Sequence, residues 1–282
     1  MNTKVLVCCH KKDICATQEP YMPIQVGKSL SQIDLGIAAD NSGDNISEKN
    51  SSYCELTGIY WAWKNLKGVD AIGLCHYRRY FDFHNQCRRM FPYENFETKD
   101  FNNLNFSIPA QTLDKIAKGY VVTPKRWSFG MPLGTYYCVK HNGLDLKKLE
   151  IIIESNCNPN YLESFRYIMY GNNKLIPFNM FIMRWDFFDR YCKWLFNILS
   201  IFEKEIDTSS YDAYQRRIFG FVSERLFNVF LHAEKIKVMK YPIICITDSP
   251  TRGRCMQLIS LTMKEMSFFA QKILYYWGAK VE

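Results

Sequence analysis

The fold is decided by the segment from Asp44 to Phe83, which reads DNISEKNSSYCELTGIYWAWKNLKGVDAIGLCHYRRYFDF. Its polar beginning contains Asn45 and Ser47, whose side-chain oxygens are suited to capping a helix. Apolar side chains then recur at steps of three and four from Tyr53 to Trp63, which predicts a helix with one buried face. A short apolar run, Val69 to Cys75, follows between turn residues and predicts a buried strand. A helix that leads into a buried strand is typical of an α/β domain.

The predicted strand ends in a cationic and aromatic cluster. His76, Arg78 and Arg79 follow it directly, with tyrosines between and after them. Ligands of open α/β sheets bind beyond the carboxyl ends of strands, and the planar guanidinium group suits phosphate oxygens. The sequence therefore predicts an anion-binding site at this point. The alternative is a solvated arginine pair with tyrosines as packing, which we favour less because unpaired cations beside a buried strand are costly.

Glu55 is the one carboxylate on the apolar part of this predicted helix. It lies above Gly58 and Ala62, the smallest residues of the helix. A carboxylate beside small residues can be approached closely by another segment of the chain or by a ligand. A solvated glutamate on a surface helix is the more common alternative for a single residue of this type.

Composition limits the class of protein. The chain has 282 residues, of which 48% are hydrophobic and 16% aromatic, enough for one large α/β domain with a sizeable core. Its 11 cysteines form no C-x-x-C pair, which indicates reduced thiols in a cytoplasmic protein and not disulfides or a zinc site. The net charge of +8 suits an anionic ligand or an anionic membrane surface. We expect no signal peptide and no spanning helix, since no stretch approaches about 18 uncharged apolar residues.

Further elements are predicted on both sides of the central segment. Lys4 to Cys9 is a β-branched run that ends in His10 and Lys11, as in the first strand of a nucleotide-binding unit, although such a pair often simply begins a surface loop. Ser128 to Tyr137 carries no charge and favours a substrate loop, and His84 to Ser107 is expected to leave the core as part of an acceptor lid. Strands are also predicted over residues 119–124 and 178–183, and helices over residues 112–118, 144–155, 159–170, 185–202 and 226–231.

His141 and Asp145 form a candidate base and orienting carboxylate. They are four residues apart at the start of a predicted helix, where one face can hold both side chains. An exposed histidine and a helix-capping aspartate explain the pattern equally well.

The central segment also carries a resemblance to a known family. The pattern D-N-I-S-x-K-N-x-x-Y-C-E-L-T-x-I-Y-W-A-W-K-N, followed by G-L-C-H-Y-R-R-Y-F, resembles the hallmark of a bacterial family of unknown-function domains from capsular and exopolysaccharide gene clusters. Its members are generally described as glycosyltransferases. The resemblance implies a uridine diphosphate (UDP) sugar as donor, with galactofuranose or galactose favoured, and a role in capsular polysaccharide, exopolysaccharide or O-antigen synthesis. It also implies a glycan acceptor, expected to be lipid-linked, and no nucleic acid partner.

The order of parts is similar to that of glycosyltransferases with the GT-A fold. Those enzymes have a nucleotide loop after strand one, a helix leading into a strand that ends in Asp-x-Asp, and later a strand beginning with Asn and then a carboxylate near the acceptor. The corresponding parts here are His10, the helix over 45–64, His76-Tyr77-Arg78, Asn179 to Met183, and Glu224. The resemblance thus implies a single GT-A-like α/β domain, with a mixed central sheet flanked by helices.

The departure from Asp-x-Asp bears on the cofactor. Two carboxylates hold a divalent metal on the donor diphosphate, whereas two cations can neutralise that diphosphate directly. Because His-x-Arg stands in this place, we doubt that manganese or magnesium is required, although His76 would bind a metal if another ligand joined it.

The cluster and the resemblance together suggest roles for individual residues. Those expected to bind the nucleotide and its diphosphate are His10, Lys11, Asp44, Asn45, Glu55, Lys64, His76, Arg78 and Arg79. Those expected to contact the acceptor or the sugar are Asp145, Asn179, Met180 and Arg217. Glu224 is the first choice for the base, with His141 second; a structural ion pair with Arg217 or Arg225 is the alternative for Glu224.

The chain is expected to divide into the glycosyltransferase domain, 1–245, and a C-terminal helical extension, 246–282. The extension mixes apolar and aromatic residues with scattered lysines, which is typical of a helix lying on an anionic membrane surface. We therefore expect peripheral association with the inner face of the cell membrane. A terminal helix packed on the domain is the alternative.

Two other classes of function stay open from the sequence. One is a phosphoryl-transfer enzyme or nuclease that uses His76, Arg78, Arg79 and Tyr80 as nucleophile and anion clamp. The other is a non-enzymatic module that binds polyanions, for which the net charge is the only support.

Overall fold

Strands and helices alternate along the chain in the computed structural model, which describes residues 1–87, 91–248, 263, 266, 268 and 269. The strands are β1 Thr3–Cys9, β2 Tyr21–Gln25, β3 Ala38–Ala39, β4 Ala71–His76, β5 Arg79–Phe81, β6 Tyr93–Glu97, β7 Val121–Pro124, β8 Trp127–Ser128, β9 Lys174–Leu175, β10 Phe181–Arg184, β11 Val238–Tyr241 and β12 Ile243–Thr247. The α-helices are α1 Asn50–Tyr53, α2 Leu56–Asn65, α3 Ala110–Ala117, α4 Leu133–Lys140, α5 Gly143–Asn156, α6 Pro159–Tyr170, α7 Trp185–Glu205 and α8 Ile218–Ala233.

The central sheet is mixed, as predicted. Its strands follow the order β3-β2-β1-β4-β10-β7-β11. β1 lies parallel to β2 and to β4, whereas β10 runs antiparallel to both β4 and β7. β5 continues the sheet from the end of β4 and pairs with β12, which also pairs with β6. β8 and β9 form a separate two-stranded sheet.

Both faces of the central sheet are covered, which explains why its strands read as nearly continuous apolar runs. Successive side chains of a strand point to opposite faces, and β1 shows the result. Leu6 and Cys8 pack with helices α2 and α4 to α8 on one face. Val5 and Val7 pack on the other face with α3, β5 and β12.

The helix predicted after Asp44 is broken in two. α1 ends at Tyr53, Cys54 takes a left-handed φ of 52°, and α2 begins at Leu56. The side-chain amide of Asn50 fixes the break, since its Nδ2 donates to the Cys54 carbonyl oxygen at 2.7 Å and to Thr57 Oγ1 at 2.9 Å. The prediction of one uninterrupted helix is therefore wrong, and Glu55 stands at the start of α2.

A segment predicted as a loop and one predicted as an excursion both contribute regular elements. α4 begins at Leu133, within the segment Ser128 to Tyr137 that was expected to be a substrate loop, because Pro132 is suited to the start of a helix. The segment from His84 to Ser107 contributes β6, which pairs in parallel with β12.

β12 continues through Thr247, two residues past the predicted boundary at 245. Most of the predicted C-terminal extension lies outside the described residues. Among the helices that the structure describes, none has the length and apolar character needed to cross a membrane.

Candidate functional site

A cavity of about 910 Å³ opens at the carboxyl ends of the parallel strands β1 and β4. Its wall also includes the start of α2, the turn before β10, the first half of α8, and parts of β6 and β12. This is where an open α/β sheet is expected to bind a ligand. Seven residues predicted for the site line the cavity: His10, Glu55, His76, Arg78, Arg79, Arg217 and Glu224.

A strained turn before β10 forms part of the cavity wall. Phe178 and Asn179 have left-handed φ values of 72° and 53°, which is rare for a bulky side chain such as Phe178. Phe178 N donates to Glu224 Oε1 at 2.7 Å, and its carbonyl oxygen bonds His76 Nε2 at 2.9 Å. Asn179 Nδ2 donates to Glu55 Oε1 at 2.7 Å. The turn is thus held by side chains from three elements that are far apart in sequence.

His76 is a neutral member of this site. Because a carbonyl oxygen only accepts, Nε2 of His76 carries the hydrogen that bonds Phe178. Burial, together with the nearby charge of Arg79, lowers the pKa of His76 to about 4. His76 therefore supplies a hydrogen bond to the turn, and not the positive charge that the sequence suggested.

Two carboxylates face the cavity, and their surroundings differ. Burial raises the pKa of Glu55 and of Glu224, and the charge of Glu55 adds to the effect on Glu224. Glu224 is bonded through both oxygens, since Oε1 accepts from Phe178 N and Oε2 accepts from Arg225 Nη1 at 3.1 Å. The bond from Asn179 occupies one oxygen of Glu55.

The three arginines of the cavity also differ. The Arg78 guanidinium bridges Asp13 at 2.9 Å and Asp248 at 2.7 Å. Arg79 lies over the Phe178 ring, 4.5 Å from its centroid, and Arg217 Nε bonds Cys54 Sγ at 3.3 Å. Within the described part of the chain, neither Arg79 nor Arg217 makes an ion pair with a carboxylate. Arg79 and Arg217 are therefore the cations best placed to receive an anionic ligand.

Several predicted nucleotide-binding residues lie elsewhere. Lys64 and Asp44 pair at 3.9 Å near the C-terminal end of α2, whereas the cavity is at the N-terminal end of that helix. Asn45 accepts from Ser47 N in the loop before α1, so it does not cap a helix. Lys11 lies 3.7 Å from Asp13 and is exposed.

The predicted acceptor residues are likewise dispersed. Met180 is fully buried in the core, and Asn179 is buried beneath the turn. His141 stands between α4 and α5, where its Nδ1 bonds Gln215 Oε1 at 3.1 Å. Asp145 bonds the hydroxyl of Tyr211. The structure therefore does not bring His141 and Asp145 together as a base and its orienting group.

Sequence reasoning missed part of the cavity wall. Tyr93 and Asn95 reach it from β6, and Trp127 reaches it from β8. Phe178 packs edge to face on Trp127, with ring centroids 4.9 Å apart. The sequence of β6, YENFE, does not alternate between apolar and polar residues and contains two carboxylates, so it gave no clear strand signal.

The cavity residues do not fit a divalent metal of the Asp-x-Asp type. The carboxylates of Asp13 and Asp248 hold the Arg78 guanidinium between them. Across the residues that the structure describes, no three His, Cys, Asp or Glu side chains are grouped so that they could hold a metal ion.

Comparisons with known proteins give one family and one solved structure. Residues 4–235 match the sequence profile of a family described as a domain of unknown function, DUF4422. The search among curated proteins found no match. A solved apo structure titled as the bifunctional glycosyltransferase WbbM is similar, with a TM-score of 0.75 and 28% identity over 89% of this chain. The chain spans 46% of the length of that solved chain.

Proposed function

We propose that this chain, which belongs to the DUF4422 family, is a glycosyltransferase that moves a sugar from a nucleotide diphosphate sugar to a glycan acceptor. The fold of a bifunctional glycosyltransferase supports the proposal. The observation that carries it is the composition of the cavity. Arg79 and Arg217, which make no ion pair with a carboxylate among the described residues, share one cavity with the partly buried carboxylates Glu55 and Glu224.

These groups match the two needs of glycosyl transfer. The bond between the anomeric carbon and the diphosphate oxygen breaks, and negative charge develops on the leaving diphosphate. Arg79 and Arg217 would stabilise that charge. In an inverting reaction a base must also take the proton of the acceptor hydroxyl, and a cavity carboxylate is suited to this. Glu224, the first candidate from sequence, and Glu55 are the two carboxylates that line the cavity.

The finer parts of the proposal come from the resemblance in sequence. We propose UDP as the nucleotide, galactofuranose or galactose as the sugar, and a lipid-linked glycan as the acceptor. The pathway would be capsular polysaccharide, exopolysaccharide or O-antigen synthesis at the cytoplasmic face of the membrane.

A ligand screen tests the proposed function. UDP, UDP-galactose, UDP-galactofuranose and a mixed-sequence oligonucleotide would be compared by thermal shift, since a ligand that binds the folded state raises its melting temperature. We expect stabilisation by UDP and the UDP-sugars, and slow release of UDP from the true donor. Stabilisation by the oligonucleotide alone would favour a polyanion-binding module or a nuclease.

The nuclease alternative is disfavoured by the position of Tyr80. Its side chain is fully buried, and its hydroxyl donates to the Tyr77 carbonyl oxygen and accepts from Ala16 N. A hydroxyl used in this way is not available as a nucleophile.

Turnover is expected to continue without a divalent metal. The guanidinium of Arg78 lies between the carboxylates of Asp13 and Asp248, so these carboxylates are already paired with a cation. We expect UDP release from the donor sugar to fall less than about threefold in EDTA, because fixed cations supply the charge. Complete loss in EDTA that manganese or magnesium restores would contradict this proposal.

Peripheral membrane binding through the C-terminal segment stays part of the proposal. The described helical residues Met263, Met266 and Phe269 are 64%, 72% and 66% exposed, as for a helix with an apolar face towards a bilayer. We expect replacement of all three by serine to reduce sedimentation with liposomes containing phosphatidylserine. Replacement of the equally exposed Val139 and Leu144 is the matched control. Equal liposome binding by all variants would contradict membrane association through this segment.

A further inference from the structure

The two carboxylates of the cavity are held in different ways, and the difference separates their chemical roles. Glu224 accepts a backbone N–H on one oxygen and a guanidinium N–H on the other. Both bonds favour its ionised form and fix its orientation toward the turn and α8. In the described part of the chain, the carboxylate of Glu55 accepts from Asn179 Nδ2 on Oε1 and from its own backbone N–H, and it makes no ion pair within bonding distance of a guanidinium.

Asn179 determines the orientation of Glu55. Its side chain is 1% exposed, and its Nδ2 donates both to Glu55 Oε1 and to Ser223 Oγ at 2.9 Å. Ser223 donates its own hydroxyl hydrogen to the Gly220 carbonyl oxygen at 2.8 Å, so it must accept from Asn179. The amide nitrogen of Asn179 therefore faces Glu55, and the buried Oδ1 has no hydrogen-bond partner in the described residues.

The backbone on both sides of this contact is also unusual. Asn179 has a left-handed φ of 53°, and Cys54, next to Glu55, has a φ of 52°. Such conformations persist where the surroundings impose them, and they are common at functional sites. The break at Cys54 starts α2 at the cavity, and the turn at Asn179 brings its amide to the same place.

We propose that Glu55 accepts the proton of the acceptor hydroxyl in the transfer reaction and that Asn179 is the positioning residue that orients it. This inference rests on the proposed function. The acceptor oxygen forms a bond to the anomeric carbon while the bond from that carbon to the diphosphate oxygen breaks. The electron pair leaves with the diphosphate, toward Arg79 and Arg217, and the hydroxyl proton passes to the carboxylate of Glu55.

The electrostatic surroundings make Glu55 a stronger base than an exposed glutamate. Burial raises the pKa of Glu55, while the bond from Asn179 and the charges of Arg217 and Arg79 partly offset the increase. A base is most effective when its pKa approaches the working pH. The titratable and charged groups that face Glu55 are Cys8 on β1, Cys54, Arg79 on β5, Tyr191 on α7, Arg217 and Glu224 on α8.

The first test compares Glu55→Gln with Glu224→Gln in the full chain. The readout is UDP release from UDP-galactose and UDP-galactofuranose, with water or an added glycan as acceptor, from pH 5 to 9. Glu55→Gln is expected to lower kcat by about 10²- to 10⁴-fold and to abolish the rise of the rate with pH. Its affinity for UDP should change less than about threefold, because the amide can still accept from Asn179. Glu224→Gln should lose less activity and keep the rise with pH.

The second test concerns the positioning role of Asn179. Because its hydrogen bond lowers the pKa of Glu55, Asn179→Ala should move the rising limb of the rate profile to higher pH and lower kcat at neutral pH. The KM for the donor should change little. A loss of activity with no movement of the pH profile would assign Asn179 a purely structural role and overturn this part of the proposal.

Stability against pH shows whether Glu55 titrates in the folded protein. A carboxyl whose pKa is raised by folding contributes stability below its unfolded pKa and loses it as the pH rises through the folded pKa. The wild-type protein should therefore lose stability relative to Glu55→Gln as the pH increases above about 4. An unchanged difference across pH 4 to 8 would contradict the assignment.

The remaining outcomes are distinguishable. Two results would overturn the assignment of the base. One is loss of UDP binding in Glu55→Gln, and the other is loss of the pH dependence in Glu224→Gln and not in Glu55→Gln. Neither result would contradict the proposal that the protein is a glycosyltransferase. Absence of turnover by the wild-type protein with every UDP-sugar, together with no thermal shift by UDP, would overturn the proposed function itself and this assignment with it.

Discussion

Arg79→Ala is expected to weaken UDP binding by about 10- to 150-fold, the cost of removing a hydrogen bond to a charged group. Arg79 follows the end of β4, lines the cavity and makes no ion pair with a carboxylate in the described residues. Its guanidinium is therefore available to a diphosphate without first giving up a partner. Isothermal titration with UDP, at fixed and stated salt concentration, measures the change.

Arg78→Ala is the informative comparison for this prediction. Arg78 is already engaged by Asp13 and Asp248, so a ligand gains less from it and its loss should weaken UDP binding less. Arg166→Ala is the control, because Arg166 pairs with Glu150 on the helical side of the molecule, outside the cavity. A larger effect at Arg78 than at Arg79 would show that the ligand displaces the two carboxylates and that Arg78 is the diphosphate clamp.

The sequence predicted that His76, Arg78 and Arg79 follow a buried strand, and they line the candidate cavity, because this placement depends on local patterns. An apolar run between turn signals identified β4, and its carboxyl end carries His76 and the arginines in any α/β arrangement. The pattern could not distinguish the three cations. Asp13, 65 residues away, engages Arg78. His76 bonds the Phe178 carbonyl oxygen, 102 residues away, and its burial together with the charge of Arg79 lowers its pKa.

The role of α2 shows the same limit. Asp44, Asn45 and Lys64, which flank the helix that leads into β4, are residues that the sequence and the resemblance together suggest for nucleotide binding. A helix of ten residues is about 15 Å long, and only the N-terminal end of α2 lines the cavity. The break at Cys54, caused by Asn50, decides which end meets the cavity. The contact between Glu55 and Asn179 spans 124 residues and has no counterpart in any local pattern.

Gly73→Ala is expected to destabilise the fold by about 1–3 kcal/mol, the usual cost of adding a methyl group to a well-packed core. Gly73 lies in β4 between Val5 of β1 and Ile182 of β10. A Cβ atom there would stand 2.8 Å from Ile182 Cγ1, 2.9 Å from the Phe181 carbonyl oxygen and 3.2 Å from Val5 Cγ2. The carbonyl belongs to the backbone of β10, so β10 itself would have to move.

A double-mutant cycle tests whether this contact is the cause. Ile182→Ala removes the atom nearest to the new methyl group, so the loss in the Gly73→Ala, Ile182→Ala protein should be smaller than the sum of the two single losses. Leu149→Ala on α5 is the control. Leu149 is fully buried, but it belongs to the core on the opposite face of the sheet from Ile182. Its loss of stability should therefore add to that of Gly73→Ala. The free energies of unfolding come from urea titrations. Additivity with Ile182→Ala would show that the strand spacing does not depend on Gly73.

A displaced β10 should also weaken UDP binding, because β10 follows the turn that holds His76, Glu55 and Glu224. The isothermal titration with UDP described for Arg79→Ala would detect this change in Gly73→Ala.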